Sequence, residues 1–299
     1  MKLLLALLLL GSTTAGLAAA LEQTYAPQGQ LVVTQFVTAP FPHAARTNGH
    51  KYKDKNYPAQ EHYSDSTVAI FIPKGFRETG RVDFVIHFHG WFNTVAGTLD
   101  TFKLIEQFVA SGKNAVLVVP EGPRNAPDSF GGKLEDADGF KRFMAELATT
   151  LKQRGVFKRD FTVGDIILSG HSGGYRVISG ILDRGGMSAS VKEVWLFDAL
   201  YAETEKFLAW SDREHGRLLN IYTDHGGTKD DSEAMMNLLK QRGTAFLAAE
   251  ETQLTPAELQ KGRLVFIHTE LGHNDVVAKR EQFKLFLRTS VLADREPTP

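Results

Sequence analysis

Short, almost wholly apolar runs recur along this chain, separated by stretches with helical periodicity, and this alternation limits the fold more than any other feature. Residues 66–73 (Ser-Thr-Val-Ala-Ile-Phe-Ile-Pro), 82–88, 115–119, 191–197, 217–222 and 263–268 read as strands. A strand that is apolar at nearly every position is covered on both faces, as in a parallel sheet flanked by helices. Helices are expected near 99–111, 136–154, 175–184, 203–210, 232–242 and 274–291. A strand at 31–37 and the run Asp165-Ile-Ile-Leu-Ser169 complete the set. The pattern predicts an α/β protein, a three-layer α/β/α sandwich around a mostly parallel sheet. With 299 residues, 42% of them hydrophobic, the chain has enough apolar material for one large core.

The run at 165–169 stops at Gly170-His-Ser-Gly-Gly174 and leads into the helix-like Tyr175-Arg-Val-Ile-Ser-Gly-Ile-Leu182. A serine on a tight turn between strand and helix is held in a strained backbone with its hydroxyl aimed away from the sheet, and glycines two residues to either side let strand and helix pass closely. Ser172 is therefore the candidate nucleophile.

A hydroxyl nucleophile needs a base for its proton, and the base needs a carboxylate to fix its tautomer. In a parallel sheet these groups belong in loops beyond the carboxyl ends of strands. Of the ten histidines, His273 in Leu271-Gly-His-Asn-Asp275, between the last strand and the last helix, fits best. His268 ends a strand and reads as packing; His171, inside the turn, reads as its support. Two aspartates compete as the acid. Asp224 is preferred because its strand immediately precedes the histidine strand, and Asp198, after the run at 191–197, is the alternative. Both keep the chain order nucleophile, acid, histidine.

The reaction places negative charge on a carbonyl oxygen, which preset N–H groups must receive. Gly173 supplies one. The other is expected from His87-Phe-His-Gly-Trp-Phe-Asn93, with Trp91 as donor and Phe92 beside it against the substrate. The long segment 120–134 is expected to shape the cleft, with Arg124 or Asn125 as polar contacts. His87 and His89 also permit a rival reading as metal ligands on one strand face, with Asp198, Asp224 or His268 completing the set, but that leaves the serine turn unexplained.

Net charge is −1 with no basic block, so composition gives no support for nucleic-acid binding. There is no cysteine, which excludes disulfides, a thiol nucleophile and zinc–thiolate sites. Met1-Lys2, the apolar run 3–10 and the small residues ending Ala18-Ala-Ala20 read as a secretory signal peptide cut after Ala20, which implies a secreted or periplasmic protein. Gly11-Ser-Thr-Thr14 interrupts the run before it reaches membrane-spanning length. The expected organisation is a leader at 1–20, a strand and irregular segment at 21–65 packed on the main domain, a catalytic domain at 66–292, and a flexible tail at 293–299.

Gly170-His-Ser-Gly-Gly174 resembles the nucleophile elbow of the α/β-hydrolase superfamily, and His89-Gly90 resembles the oxyanion-loop motif of its esterases and lipases. The likeness covers roughly residues 66–291. It implies an eight-stranded, mostly parallel sheet and a Ser-His-acid triad. Relatives place the acid after either of two neighbouring strands. Only about twenty residues separate the strands at 191 and 217, so no large cap domain is expected. The reading is a secreted serine esterase that needs no cofactor and acts on a small-molecule or polymeric ester. The same residues also suit a peptidase, an amidase or an acyltransferase, and a binding protein on an inactive hydrolase scaffold is an alternative of another class.

Overall fold

The computed structural model of the chain describes residues 16 and 18–295. The leader expected at 1–20 lies almost wholly outside them, as do residues 296–299 of the tail. In chain order, the first strand is β1 (Gly29–Gln35), followed by a small hairpin, β2 (His50–Tyr52) and β3 (Lys55–Tyr57), and the short helix α1 (Ala59–His62). Next come β4 (Thr67–Pro73), β5 (Arg81–Phe88), α2 (Val95–Thr101), α3 (Leu104–Ser111), β6 (Val116–Pro120), α4 (Gly139–Gln153) and β7 (Thr162–His171). The C-terminal half adds α5 (Tyr175–Arg184), β8 (Val191–Phe197), α6 (Thr204–Glu214), β9 (Arg217–Thr223) and α7 (Lys229–Gln241). The last elements are β10 (Leu247–Glu250), α8 (Pro256–Lys261), β11 (Leu264–Thr269) and α9 (Gln282–Arg288).

The sheet has nine strands in the order β1-β4-β6-β5-β7-β8-β9-β11-β10. Strand β4 runs antiparallel to both its neighbours, and every other pairing is parallel. The expected eight strands are all present. The ninth is β10, an edge strand of sequence Leu-Ala-Ala-Glu whose burial alternates and whose residues carry little strand propensity. Helices cover both faces. Phe143 of α4, Ile178 of α5, Phe207 of α6 and Met235 of α7 share one apolar cluster with Val118 and Leu168. Leu99, Phe108, Leu259 and Phe283 share the other with Leu117 and Ile167. Neighbouring residues of one strand thus enter opposite cores, which explains the runs without polar interruption.

Three expected elements change form. The helix expected over 99–111 is two helices, α2 and α3, broken where Lys103 adopts a left-handed φ of 48°. The helix expected over 274–291 is confined to α9, preceded by turns in which Arg280 and Glu281 have positive φ. Residues 293–295, expected to open a flexible tail, are tied down instead. Ala293 O accepts from Asn114 N at 2.8 Å, Asp294 pairs with Lys113 Nζ at 2.8 Å, and Arg295 N donates to Gly112 O at 2.7 Å. Between β8 and β9 the chain holds α6 and its loops, with no cap-sized insertion.

The sheet order reverses around β5: β6 lies on one side and β7 on the other. That reversal opens a crevice at the carboxyl ends of β5 and β7. In their parallel register Phe88 lies opposite Gly170, so Gly90 and Ser172, each two residues further on, leave the sheet side by side.

Candidate active site

Ser172 has a φ of 53°, a left-handed conformation that costs a non-glycine residue roughly 1–2 kcal/mol and that only a tightly packed turn maintains. A Cβ on Gly174 would lie 2.7 Å from Phe88 O, and one on Gly90 would lie 2.5 Å from Ser172 Cβ. Side chains at either position would push the loop after β5 and the turn at Ser172 apart, so both sites take glycine.

Beyond β8, Asp198 turns its carboxylate toward the loop after β11, and His273 Nδ1 stands 2.6 Å from Asp198 Oδ2. Three further donors fix that carboxylate: Thr223 N at 3.2 Å, Thr223 Oγ1 at 2.9 Å and the Thr228 hydroxyl. Burial alone would raise the Asp198 pKa, but these hydrogen bonds, led by that from His273, hold it below the usual carboxylate value. Asp198 is fully buried, and the His273 side chain is 28% exposed. Asp224, the acid preferred from strand order, is elsewhere. It pairs with Lys229 Nζ at 2.7 Å and with His268 Nε2 at 3.1 Å on an exposed edge. Order along the chain places both aspartates at carboxyl ends of strands; the turn after β8, where Asp198 has a φ of 46°, aims only one of them at His273.

His171 carries a supporting contact. Its Nε2 lies 2.8 Å from His273 O, and its ring is packed between those of Phe102 and His273, with centroids 4.8 Å and 4.6 Å away. Burial, and then the neighbouring His273, push its pKa down to about 4, so the ring stays neutral and donates from Nε2. His268 lies outside this arrangement, held between Glu250 and Asp224.

On the other side of Ser172, the Trp91 indole packs over Gly173, where an added Cβ would come within 2.8 Å of Trp91 Cδ1. Trp91 Nε1 donates to Ser129 Oγ at 2.8 Å. These residues, with Tyr175 and Tyr201, line a mostly apolar pocket of about 210 Å³ that opens onto Ser172. The Tyr201 hydroxyl donates to Gly226 O at 2.6 Å. Ser129, Tyr175 and Tyr201 were not read from sequence. Tyr175 and Tyr201 follow the elbow and Asp198 closely enough to have been found; Ser129 carries no local signal.

The expected substrate contacts fare differently. Phe92 is 57% exposed beside Trp91 in a left-handed conformation, at the rim and not among the residues lining the pocket. Arg124 points away: its guanidinium reaches Asp65 Oδ2 at 3.3 Å, and its backbone is bonded to His62. Asn125 sits in an exposed left-handed turn, its N–H on Asn93 O, and does not line the pocket either. The physical reason for both corrections is the turn at 123–126, whose backbone is tied to His62 of α1 on one side and to Phe92 and Asn93 on the other. The two strand histidines of the rival metal reading part company. His87 is wholly buried, with Nδ1 2.9 Å from Ser169 Oγ and the rings of Phe102 and Phe283 against it. His89 bonds Glu121. Among the described residues no cluster of three or more His, Asp or Glu side chains is arranged to hold a metal ion.

No family model and no curated protein matches this sequence. Solved structures do resemble it. A ferulic acid esterase is 14% identical with a TM-score of 0.56, over 87% of this chain and 98% of its own. A feruloyl esterase module from Clostridium thermocellum, complexed with sinapinate, is 11% identical with a TM-score of 0.53, over 88% and 87%. A fluorophosphonate-binding serine hydrolase from Staphylococcus aureus is 10% identical with a TM-score of 0.52, over 88% and 99%. The chain has the α/β-hydrolase fold.

Proposed function

We propose that this protein is a serine hydrolase of carboxylic esters, with Ser172 as nucleophile, His273 as general base and then acid, and Asp198 as the residue that orients His273. The observation that carries this reading is the 2.6 Å contact between His273 Nδ1 and a buried Asp198, set beside a left-handed serine elbow. Ser172 Oγ attacks the ester carbonyl carbon while its proton passes to His273 Nε2. The new negative charge on the carbonyl oxygen is received by the N–H groups of Gly173 and Trp91. Collapse breaks the bond to the alcohol, which leaves with the proton from His273. A water molecule then repeats the sequence on the acyl-enzyme, releasing the acid and restoring Ser172. Asp198 keeps Nδ1 protonated and stabilises the imidazolium without taking its proton.

The pocket of about 210 Å³, walled by Trp91, Tyr175 and Tyr201, suits a compact, largely apolar group on one side of the scissile bond. The other side opens past Phe92 to solvent and admits either a small alcohol or a polymer chain. The leader-like sequence at 1–20 supports an exported enzyme with a mature chain beginning at Leu21; N-terminal sequencing of the protein recovered from an exporting host checks this.

The deciding experiment is intact-mass analysis after exposure to an organofluorophosphonate. The expected result is one adduct on the wild type and none on Ser172→Ala. A folded wild type that takes no adduct overturns the assignment.

A further inference from the structure

Behind the oxyanion loop lies a second buried histidine–carboxylate pair that the proposed mechanism does not use. His89 follows β5 directly, Glu121 follows β6, and their side chains are 1% and 4% exposed. His89 Nε2 lies 2.9 Å from Glu121 Oε1 and 3.0 Å from Gly122 N, and the other carboxylate oxygen accepts from Val95 N, the first residue of α2, at 3.1 Å. His89 Nδ1 lies 2.7 Å from Gly90 O. A carbonyl oxygen only accepts, so Nδ1 carries a proton whatever the state of Nε2.

Gly90 O belongs to the peptide unit whose N–H is that of Trp91. In a planar trans peptide, C=O and N–H point in opposite directions. Holding Gly90 O inward, onto a ring wedged in the interior, therefore turns the Trp91 N–H away from that ring, and Gly90 itself borders Ser172, whose Cβ would lie 2.5 Å from a Cβ added there. Without that anchor the Gly90–Trp91 peptide is freer to rotate, since the torsion on its Gly90 side is not restricted by a side chain.

We infer that the His89–Glu121 pair is a positioning device for the oxyanion site: Glu121 fixes the His89 ring, and His89 Nδ1–H fixes the Gly90–Trp91 peptide so that the Trp91 N–H meets charge developing on the substrate carbonyl. The inference rests on the reading of Ser172 as nucleophile. Neither His89 nor Glu121 touches substrate. The cost of losing the anchor therefore falls on kcat, because the N–H is needed only as charge develops.

Two amide substitutions separate this role from packing. Asparagine places its amide where Nδ1 was and keeps a donor for Gly90 O; glutamine reaches the Nε2 position and keeps the contact with Glu121 but not that donor. His89→Gln is expected to lower kcat and the rate of fluorophosphonate labelling tenfold or more with KM within about threefold, whereas His89→Asn stays within about threefold of wild type in kcat. Removing an oxyanion donor outright costs about 10²–10³-fold, which sets the upper end for the glutamine variant. Thermal unfolding of both variants, run in parallel, identifies the temperature at which each is folded for assay. Equal losses in the two variants, or a larger loss in His89→Asn, overturn the inference. A wild type that does not label overturns the nucleophile assignment instead, so the two failures are distinguishable.

Discussion

The Asp198 carboxylate is held by four hydrogen bonds from three residues, Thr223, Thr228 and His273, so it has little freedom to follow the imidazole or to take its proton. Asp198→Asn keeps the volume but presents an amide to Nδ1, which favours the wrong tautomer; kcat is expected to fall about 10³- to 10⁴-fold with the fold intact. Asp224→Asn removes only exposed pairs with Lys229 and His268, which are worth little, and kcat is expected to stay within about twofold. Steady-state ester hydrolysis by the two variants checks both; comparable losses would mean that the 2.6 Å contact does not describe the working enzyme. At this scale Ser172 and His273, the proposed nucleophile and base, could be singled out because glycine spacing and strand-end position are local signals. Asp198, the proposed acid, could not, because both aspartates satisfy those rules and only the backbone turn after β8 separates them. Arg124 misled for the same reason: its place in a long loop was visible, its direction was not.

Elements with weak local patterns were the ones the sequence concealed. The β2–β3 hairpin alternates polar and aromatic residues too briefly to read as strands, and β10 is half alanine. The short α8 did carry a signal, Thr255-Pro-Ala-Glu258, which forms a capping box with proline at the first helical position. The hairpin region, residues 39–65, gains a role from packing. Phe41, Tyr57 and Tyr63 form a third apolar cluster with Ala126 and Phe130 of the long loop, and Tyr52 packs on Trp91 at 5.2 Å. Arg46 clamps that loop through Asp128 at 2.6 Å and lies 4.7 Å over the Phe130 ring. Since Ser129 sits between those two residues and lines the pocket, the clamp links the N-terminal segment to the site. Arg46→Ala leaves the Asp128 carboxylate, which is 4% exposed, without its main charged partner. The expected outcome is a loss of stability on the order of 3 kcal/mol and an altered KM for the same ester. Chemical denaturation together with steady-state kinetics reads both, and an unchanged KM would detach the clamp from the pocket.

For the molecule as a whole, the apolar runs and the rules of parallel connection made eight strands, a mostly parallel sheet and a site at its carboxyl edge legible, while the strand order with its reversal around β5 came only from the structure. What those rules do not convey is the row of histidines packed beneath the crevice, and these tie the stability of the entire fold to pH. His171 is pushed down to about 4 and His87 well below its ordinary value, in both cases first by burial and then by neighbouring histidines. His171 is faced by His273, Asp198 and His89; the bond to His273 O and then the Asp198 charge favour the charged ring, and burial with the two histidine rings outweighs them. In the unfolded chain both rings titrate near 6.5. Between that value and about 4 the unfolded state binds more protons at these two rings than the folded one, so their contribution to unfolding free energy falls as pH falls through this window; His89 and His268, whose pKa values are raised, act with the opposite sign nearer neutral pH. For His171 the shift corresponds to on the order of 3 kcal/mol by pH 4, and His87 adds to it with the same sign. Asp198, whose pKa is lowered, loses its contribution only at more acidic pH, so its titration does not counterfeit this limb. Urea unfolding from pH 8 to pH 4 should show the decline. His171→Gln keeps an amide donor for His273 O but cannot take up a proton, and its decline should be shallower. Parallel curves for wild type and His171→Gln would show that His171 does not carry the acid sensitivity.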